Sequence, residues 1–359
     1  MNLRLGRFGL QESAAAVGLG ALVSGVFSVN VGETYEKGNV CYLATGAGLL
    51  LSLLLLLLLV KAMEARRVQS LIDVLDGLWP PLRYLFGVSL MLGFALCALL
   101  PLFRFTLAME RYIYVEADYV PMGAWMLPVL LLLVCLGMEC IARTGKLMVI
   151  SALISLVLTL ALASPAFALH HLYPLFSPGW KAFLRQTLEA TARFLPPGLG
   201  LLVVARGCQG LIHARKSLTV GLLLGGIGAV GMQLGVGLTF FATDLKEVSA
   251  PIYCMTMAAR QERLALRLDV LVLFLWVLCG LVAAGFCIYG AALLFCALFH
   301  VQDIRPAGAL WVLLVCGLLL LVNLDAAPIQ TATAAVYRWG YWLFLLPVLG
   351  MLLLMGRKV

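Results

Sequence analysis

Residues 18–27 read GLGALVSGVF and residues 194–200 read FLPPGLG, and each segment lies inside a long apolar stretch. The first segment contains three glycines, and Pro196 and Pro197 remove two backbone donors from the second. Inside a bilayer, backbone that leaves the helical hydrogen-bond ladder is tolerated only where protein or water satisfies it. The two segments therefore predict two interrupted helices that form a binding site near the middle of a membrane.

The composition is that of a membrane protein. Of the 359 residues, 63% are hydrophobic and 12% are charged, whereas soluble domains contain roughly 45–50% apolar residues. The net charge of +8 arises from Lys and Arg residues beside apolar runs, where membrane orientation places them. The charge therefore predicts contact with the lipid bilayer and no binding of nucleic acid.

Ten apolar stretches have about the 20 residues that one membrane crossing needs. The predicted fold is an all-α polytopic membrane protein with about ten transmembrane helices in a single membrane domain, residues 1–359. Placing the N-terminus inside puts most basic residues of the short connections in the cytoplasm, so both termini are expected there. The predicted spans are residues 9–30, 40–61, 84–107, 121–141, 145–169, 182–205, 216–241, 266–298, 307–325 and 338–356.

The ten spans divide into two sets of five, residues 9–169 and 182–356. Because five is odd, the second set starts on the opposite side of the membrane, which produces an inverted repeat. The first and sixth spans then occupy equivalent positions. An interrupted helix exposes N–H groups that attract a carboxylate and carbonyls that accept from an ammonium, so an amino acid is the expected ligand. The candidate ligand-binding residues are Gly20, Ser24, Gly25, Pro197, Gly198 and Gly200.

Two other interpretations of these segments remain open. Glycines in membrane helices also allow close helix packing, which is the better explanation for the Gly-x-x-x-Gly spacing of Gly221 and Gly225 in the seventh span. Prolines also kink helices without interrupting them. Just before the prolines, Glu189 and Arg193 are four residues apart, and this spacing predicts an ion pair.

Ionisable residues near the membrane are assigned structural roles. Glu139 and Arg143 at the end of the fourth span, and Arg267 and Asp269 at the start of the eighth, are predicted to form ion pairs. Glu12 is interpreted as an interfacial residue, with proton coupling as the alternative.

The remaining features give no sign of an enzyme. No catalytic arrangement, cofactor motif or metal-ligand spacing is present, and the ten cysteines are interpreted as packing residues. Residues 64–82 predict a cytoplasmic helix lying on the membrane, and residues 246–262 predict an amphipathic helix on the outer side.

Three phrases carry a family resemblance. Val23 to Phe27, VSGVF, resembles the first-helix signature of amino acid-polyamine-organocation transporters. The phrases GMECIARTGKL at residues 137–147 and RLDVLVLFLWVL at residues 267–278, followed by Tyr289, resemble spore germination permeases. These are the B subunits of GerA-type nutrient germinant receptors.

The resemblance implies a LeuT-like fold with broken helices 1 and 6, in the endospore inner membrane, together with A-type and C-type receptor subunits. It implies a small nutrient ligand, such as an amino acid, with the third and eighth spans as walls of its site. The expected function is a germinant-receptor subunit that binds this nutrient and signals to its partners. The alternatives are a proton- or sodium-coupled amino-acid permease and a structural subunit that binds no ligand.

Overall fold

The computed structural model describes residues 6–27, 40–112, 122–173, 179–208, 210–241, 252, 254–255, 268–322, 339–340 and 342–356. Within this part of the chain there are eleven α-helices and no β-strand. The helices are α1 (Leu10–Phe27), α2 (Cys41–Ala65), α3 (Leu71–Asp76), α4 (Pro80–Tyr112), α5 (Met122–Leu136), α6 (Met138–Ala163), α7 (Gly179–Val203), α8 (Leu211–Thr239), α9 (Leu268–Phe299), α10 (Ile304–Val322) and α11 (Trp342–Gly356).

All the helices except the six-residue α3 coincide with the ten predicted spans. Five of them, α2, α4, α6, α8 and α9, are long and apolar enough to cross a membrane by length and composition. Helices α1, α5, α10 and α11 are apolar but shorter. Helix α7 carries four charged residues before its two prolines, so hydropathy alone identifies it less clearly; they are Lys181, Arg185, Glu189 and Arg193.

The helices pack in matched pairs. Helix α1 packs against α8, and its equivalent α7 packs against α2. Likewise α1 contacts α6, and the equivalent pair in the other repeat is α7 with α11. Helix α9 also contacts α6, and the equivalent pair is α4 with α11. These pairs are related by exchanging the first five spans with the second five, as an inverted repeat requires. Helix α9 lies at the centre of the fold. In its most apolar stretch of 18 residues 78% are buried, whereas the same fraction in α6 is 22%.

The boundary between the fourth and fifth spans differs from the prediction. Helix α5 ends at Leu136, and Gly137 has a φ of +94°, which is accessible to glycine but strained for other residues. Helix α6 then begins at Met138. Glu139 and Arg143 therefore lie in the first two turns of the fifth span, and not at the end of the fourth as predicted.

The connection between α2 and α4 contains a shorter helix than residues 64–82 predict. Helix α3 has six residues, and Ser70 and Asp73 form a capping box at its start. Leu71, Val74 and Leu75 are buried, and α3 contacts α4 and α7. Its apolar face is therefore covered by protein and does not lie on the membrane. The helix predicted at 246–262 lies almost entirely outside the described residues.

The two predicted interruptions are not found in the described residues. Helix α1 is continuous through Gly18–Phe27, and α7 continues through Pro196 and Pro197 to Val203. In α1 the glycines permit close packing: a Cβ added to Gly18 would lie 3.3 Å from the Gly221 carbonyl oxygen of α8. Helix α7 accommodates both prolines without a break. This is the alternative interpretation given above, in which prolines do not interrupt a membrane helix.

Candidate ligand-binding site

Helices α1 and α7 touch at the centre of the fold. A Cβ added to Gly20 of α1 would lie 3.0 Å from the Pro197 Cβ of α7, so the two residues are in direct contact. One and a half turns further along α1, a Cβ on Gly25 would lie 3.1 Å from the Phe194 ring. Three of the predicted ligand-binding residues, Gly20, Gly25 and Pro197, therefore line a single helix contact.

The other three predicted residues point elsewhere. Gly198 faces α2, where an added Cβ would overlap the Leu56 side chain. Gly200 faces α4 and α9, because an added Cβ would lie 3.6 Å from Phe94 and 3.0 Å from Phe286. These are the two helices expected to form the walls of the site. The Ser24 hydroxyl donates to the Gly20 carbonyl at 2.6 Å, so it bonds within its own helix.

Gln233 of α8 is a polar residue at this site that the sequence reasoning missed. Its Nε2 donates to the Gly25 carbonyl at 2.8 Å, and its Oε1 accepts from the Thr45 hydroxyl of α2 at 2.5 Å. Gly25 lies in the last described turn of α1. Gln233 thus ties the end of α1 to α2 and α8. The only sequence signal was one amide in a glycine-rich span.

The predicted ion pair on α7 is confirmed. Arg193 Nη2 lies 3.7 Å from Glu189 Oε2, and only 6% and 8% of these two side chains are exposed. Arg185, which is half exposed, contacts the other oxygen of Glu189 at 3.2 Å. Buried charges of this kind are expensive and rare inside membrane helices, and they often mark functional positions.

A second ionic cluster lies at the end of the molecule where α1 begins, here called the N-terminal face. Arg143 Nη2 lies 2.5 Å from Glu139 Oε1, which confirms that predicted pair, and Arg143 Nε lies 3.9 Å from Glu12 Oε1. Glu12 also accepts from the Gly9 N–H at 2.9 Å, which places it as a cap of α1. The predicted partners Arg267 and Asp269 fall outside the residues whose side chains are described.

At the N-terminal face, the segment before α1 packs against the connection between α7 and α8. The Phe8 N–H donates to the Gly207 carbonyl at 3.4 Å, and the Phe8 ring is buried against Gly207. Close by, Arg206 forms an ion pair with Asp73 of α3. Ser13 of α1 and Ser217 of α8 also share a hydrogen bond of 2.7 Å.

The central contact offers backbone, aromatic rings and one amide. Among the described residues, no group of three His, Cys, Asp or Glu side chains is arranged to bind a metal ion.

Comparisons with known proteins agree with this arrangement. A family model described as "Spore germination protein" matches residues 16–328. No curated protein sequence matches the chain. Among solved structures, a Na⁺-coupled sialic acid symporter in a substrate-bound outward-open state has a TM-score of 0.65 at 10% identity, covering 93% of this chain and 78% of its own.

A second solved structure has the same TM-score, and the match covers a larger share of that protein. Mhp1, a nucleobase-cation-symport-1 family transporter in a closed conformation with bromovinylhydantoin bound, has a TM-score of 0.65 at 12% identity. The match covers 98% of this chain and 92% of that one. At such identities the likeness shows the fold alone, which is the LeuT-like transporter fold.

Proposed function

The chain belongs to the spore germination protein family, and from this premise we propose that it is a nutrient germinant-receptor subunit that binds a small nutrient between α1 and α7. The chain is a membrane protein with a permease-like fold. Beyond this, we propose that the chain binds a nutrient, signals that binding and assembles with partner subunits.

One observation carries the proposal: Gly20 of α1 contacts Pro197 of α7 in the middle of the fold. The two helices are equivalent members of the two repeats, and inverted-repeat transporters bind substrates where such helices meet. A small displacement of α7 from α1 would open a space bounded by backbone. A ligand that binds this separated arrangement better would shift the population towards it, and partners would detect the shift.

The chemistry of the contact favours an amino acid. The last turn of α1 carries the negative end of the helix dipole and presents carbonyls that accept from an ammonium group. Arg193, one turn before Pro197, carries a positive charge already balanced by Glu189. A zwitterion matches this environment without adding net charge to the membrane.

The proposed setting follows from the family. The protein would lie in the endospore inner membrane, with both termini on the spore core side, and would assemble with A-type and C-type receptor subunits. Co-purification of such subunits with the tagged chain from spore membranes tests the assembly, and recovery of the chain without either subunit would contradict it.

Ligand binding is tested by thermal unfolding of the detergent-purified chain with a panel of amino acids, sugars and nucleosides. At least one amino acid is expected to raise the unfolding midpoint. Gly20→Val should abolish the rise, because its side chain fills the α1–α7 contact. Gly46→Val is the matched control, since a Cβ on Gly46 meets nothing within 4 Å. The absence of any shift across the panel would contradict ligand binding.

The alternative is a coupled amino-acid permease, and the likeness to two cation-coupled transporters favours it. Uptake of a radiolabelled amino acid into proteoliposomes under a proton or sodium gradient distinguishes the two functions. A pure receptor subunit binds the ligand without gradient-driven uptake. Uptake that Gly20→Val abolishes would instead identify a permease using the same site.

A further inference from the structure

A cavity of about 470 Å³ with both polar and apolar walls opens on the N-terminal face. It lies between the α2–α3 connection and the α7–α8 connection, and its walls include Glu64, Arg67, Gln69, Arg206 and Cys208. Its volume falls within the range of small-molecule sites, roughly 300–1,000 Å³. None of the candidate ligand-binding residues lines it, so it is separate from the proposed nutrient site.

Arg67 stands at one wall in an unusual backbone conformation. Helix α2 ends in a Schellman motif, in which the Val68 N–H donates to the Met63 carbonyl and the Arg67 N–H to the Glu64 carbonyl, both at 3.1 Å. Arg67 occupies the left-handed position of this motif with a φ of 55°. Glycine is the usual residue there, because a side chain at this position costs about 1 kcal/mol. The chain thus places a guanidinium where the backbone alone favours glycine.

Arg206 lines the cavity from the connection between α7 and α8. It forms an ion pair with Asp73, and that carboxylate also accepts from the Ser70 N–H at 3.1 Å as part of the α3 capping box. A guanidinium has five N–H donors, so the pair with Asp73 leaves donors for another acceptor. Among the described residues, Arg67 forms no ion pair.

The rest of the lining is compatible with an anion. Burial raises the pKa of the Cys208 thiol to about 12, so the thiol stays neutral. Glu64 is the single carboxylate among the lining residues. Gly210 and Leu211 bring the first turn of the 29-residue helix α8 to the same wall, with its N–H groups unpaired inside the helix.

We propose that this cavity binds a phosphate group carried by a larger molecule. A tetrahedral phosphate has enough oxygens to accept from guanidinium groups on two walls, whereas a planar carboxylate matches one fork. The cavity is much larger than a bare phosphate, and Val68, Ala205 and Leu211 supply apolar surface for the attached group. On the proposed topology it faces the cytoplasm, where the phosphate comes from a lipid headgroup or a soluble phosphomonoester.

The test uses the full-length chain and two probes. Glycerol 3-phosphate is titrated by calorimetry, and nanodiscs of phosphatidylcholine with and without phosphatidylglycerol are compared by thermal unfolding. Arg67→Gly should weaken glycerol 3-phosphate binding at least about tenfold, because it removes charge-assisted hydrogen bonds. It should not disturb folding, because glycine suits the Schellman position. Glu64→Gln should strengthen binding by removing a like charge.

Two control variants separate the effect of the Arg67 guanidinium from the effects of the backbone change and of the lost charge. His300 also has a φ of 55° at a helix end, so His300→Gly repeats the backbone change outside the cavity. Lys216→Gln repeats the loss of charge on an exposed part of α8. Neither should change binding.

The outcomes test whether the cavity binds a phosphate and which molecule carries that phosphate. An Arg67-dependent response to glycerol 3-phosphate supports a soluble phosphomonoester, and one seen only with phosphatidylglycerol supports a lipid headgroup. No response to either probe, or equal responses in wild type and Arg67→Gly, would overturn the proposal. Weaker binding of glycerol 3-phosphate in Glu64→Gln would also overturn it, because losing a negative charge from the wall should favour a phosphate.

Discussion

The α1–α8 and α2–α7 contacts occupy equivalent positions in the two repeats but differ in chemistry. Both use glycine for close approach: an added Cβ would lie 2.5 Å from the Ala14 carbonyl oxygen at Gly221, and 2.5 Å from the Ala190 Cβ at Gly48. The α1–α8 contact adds two neutral hydrogen bonds, one from the Ser13 hydroxyl to Ser217 and one from the Gln233 amide to the Gly25 carbonyl. The α2–α7 contact instead has the charged pair of Glu189 and Arg193 next to it along α7.

This difference shows that a repeat can conserve packing while changing electrostatics. The α1–α8 contact combines glycine packing with neutral hydrogen bonds, so a charged ligand changes its electrostatics little. Helix α7 contains charges whose interactions depend on their surroundings, so it is the helix expected to respond to a charged ligand. Three substitutions test this asymmetry.

The largest effect is expected at Glu189. Glu189→Leu leaves Arg193 buried without its carboxylate, and breaking a buried ion pair costs about 3–5 kcal/mol. The measurement is the unfolding free energy of the purified protein in a fixed detergent. The double variant Glu189→Leu with Arg193→Met removes both charges and should regain most of that stability. If the double variant is no more stable than Glu189→Leu alone, the pair is not the source of the loss.

A smaller effect is expected at Gly225. An added Cβ would overlap the Gly18 carbonyl oxygen, so Gly225→Ala forces α1 and α8 apart and should destabilise the protein by about 1–3 kcal/mol. Gly231→Ala on the same helix is the control, because its Cβ meets nothing within 4 Å and alanine favours the helix. Equal unfolding midpoints for the two variants would argue against a tight α1–α8 contact.

Features that depend on local sequence were predictable. Apolar length located the ten long helices, and the four-residue spacing of Glu189 and Arg193 identified their pair. The continuity of α1 and α7 was not predictable, because glycine and proline show which conformations the backbone permits and packing decides which it adopts. Gly20, Gly25 and Pro197 were placed together correctly, whereas Gly198 faces α2 because Leu56 packs against it.

The residues that escaped prediction act across long sequence separations. Ser13 and Ser217 are 204 residues apart, and Gln233 and Gly25 are 208 apart. Their hydrogen bonds depend on the rotation and register with which α1 and α8 pack. No single-sequence pattern encodes that register, so an isolated Gln or Ser in an apolar span gives no sign of its partner.

The smallest effect is expected at Gln233, where stability and ligand response should separate. Gln233→Leu leaves the Gly25 carbonyl without its donor, but the Thr45 hydroxyl retains the Cys41 carbonyl at 2.9 Å as an acceptor. The loss of unfolding free energy should therefore be only about 1 kcal/mol. Ser24→Ala is the control, since that hydroxyl bonds within its own helix. Because Gln233→Leu frees the Gly25 carbonyl for a ligand ammonium, it should increase the midpoint shift given by an amino acid, whereas Ser24→Ala should leave the shift unchanged. An unchanged shift in Gln233→Leu would show that the end of α1 does not receive the ligand.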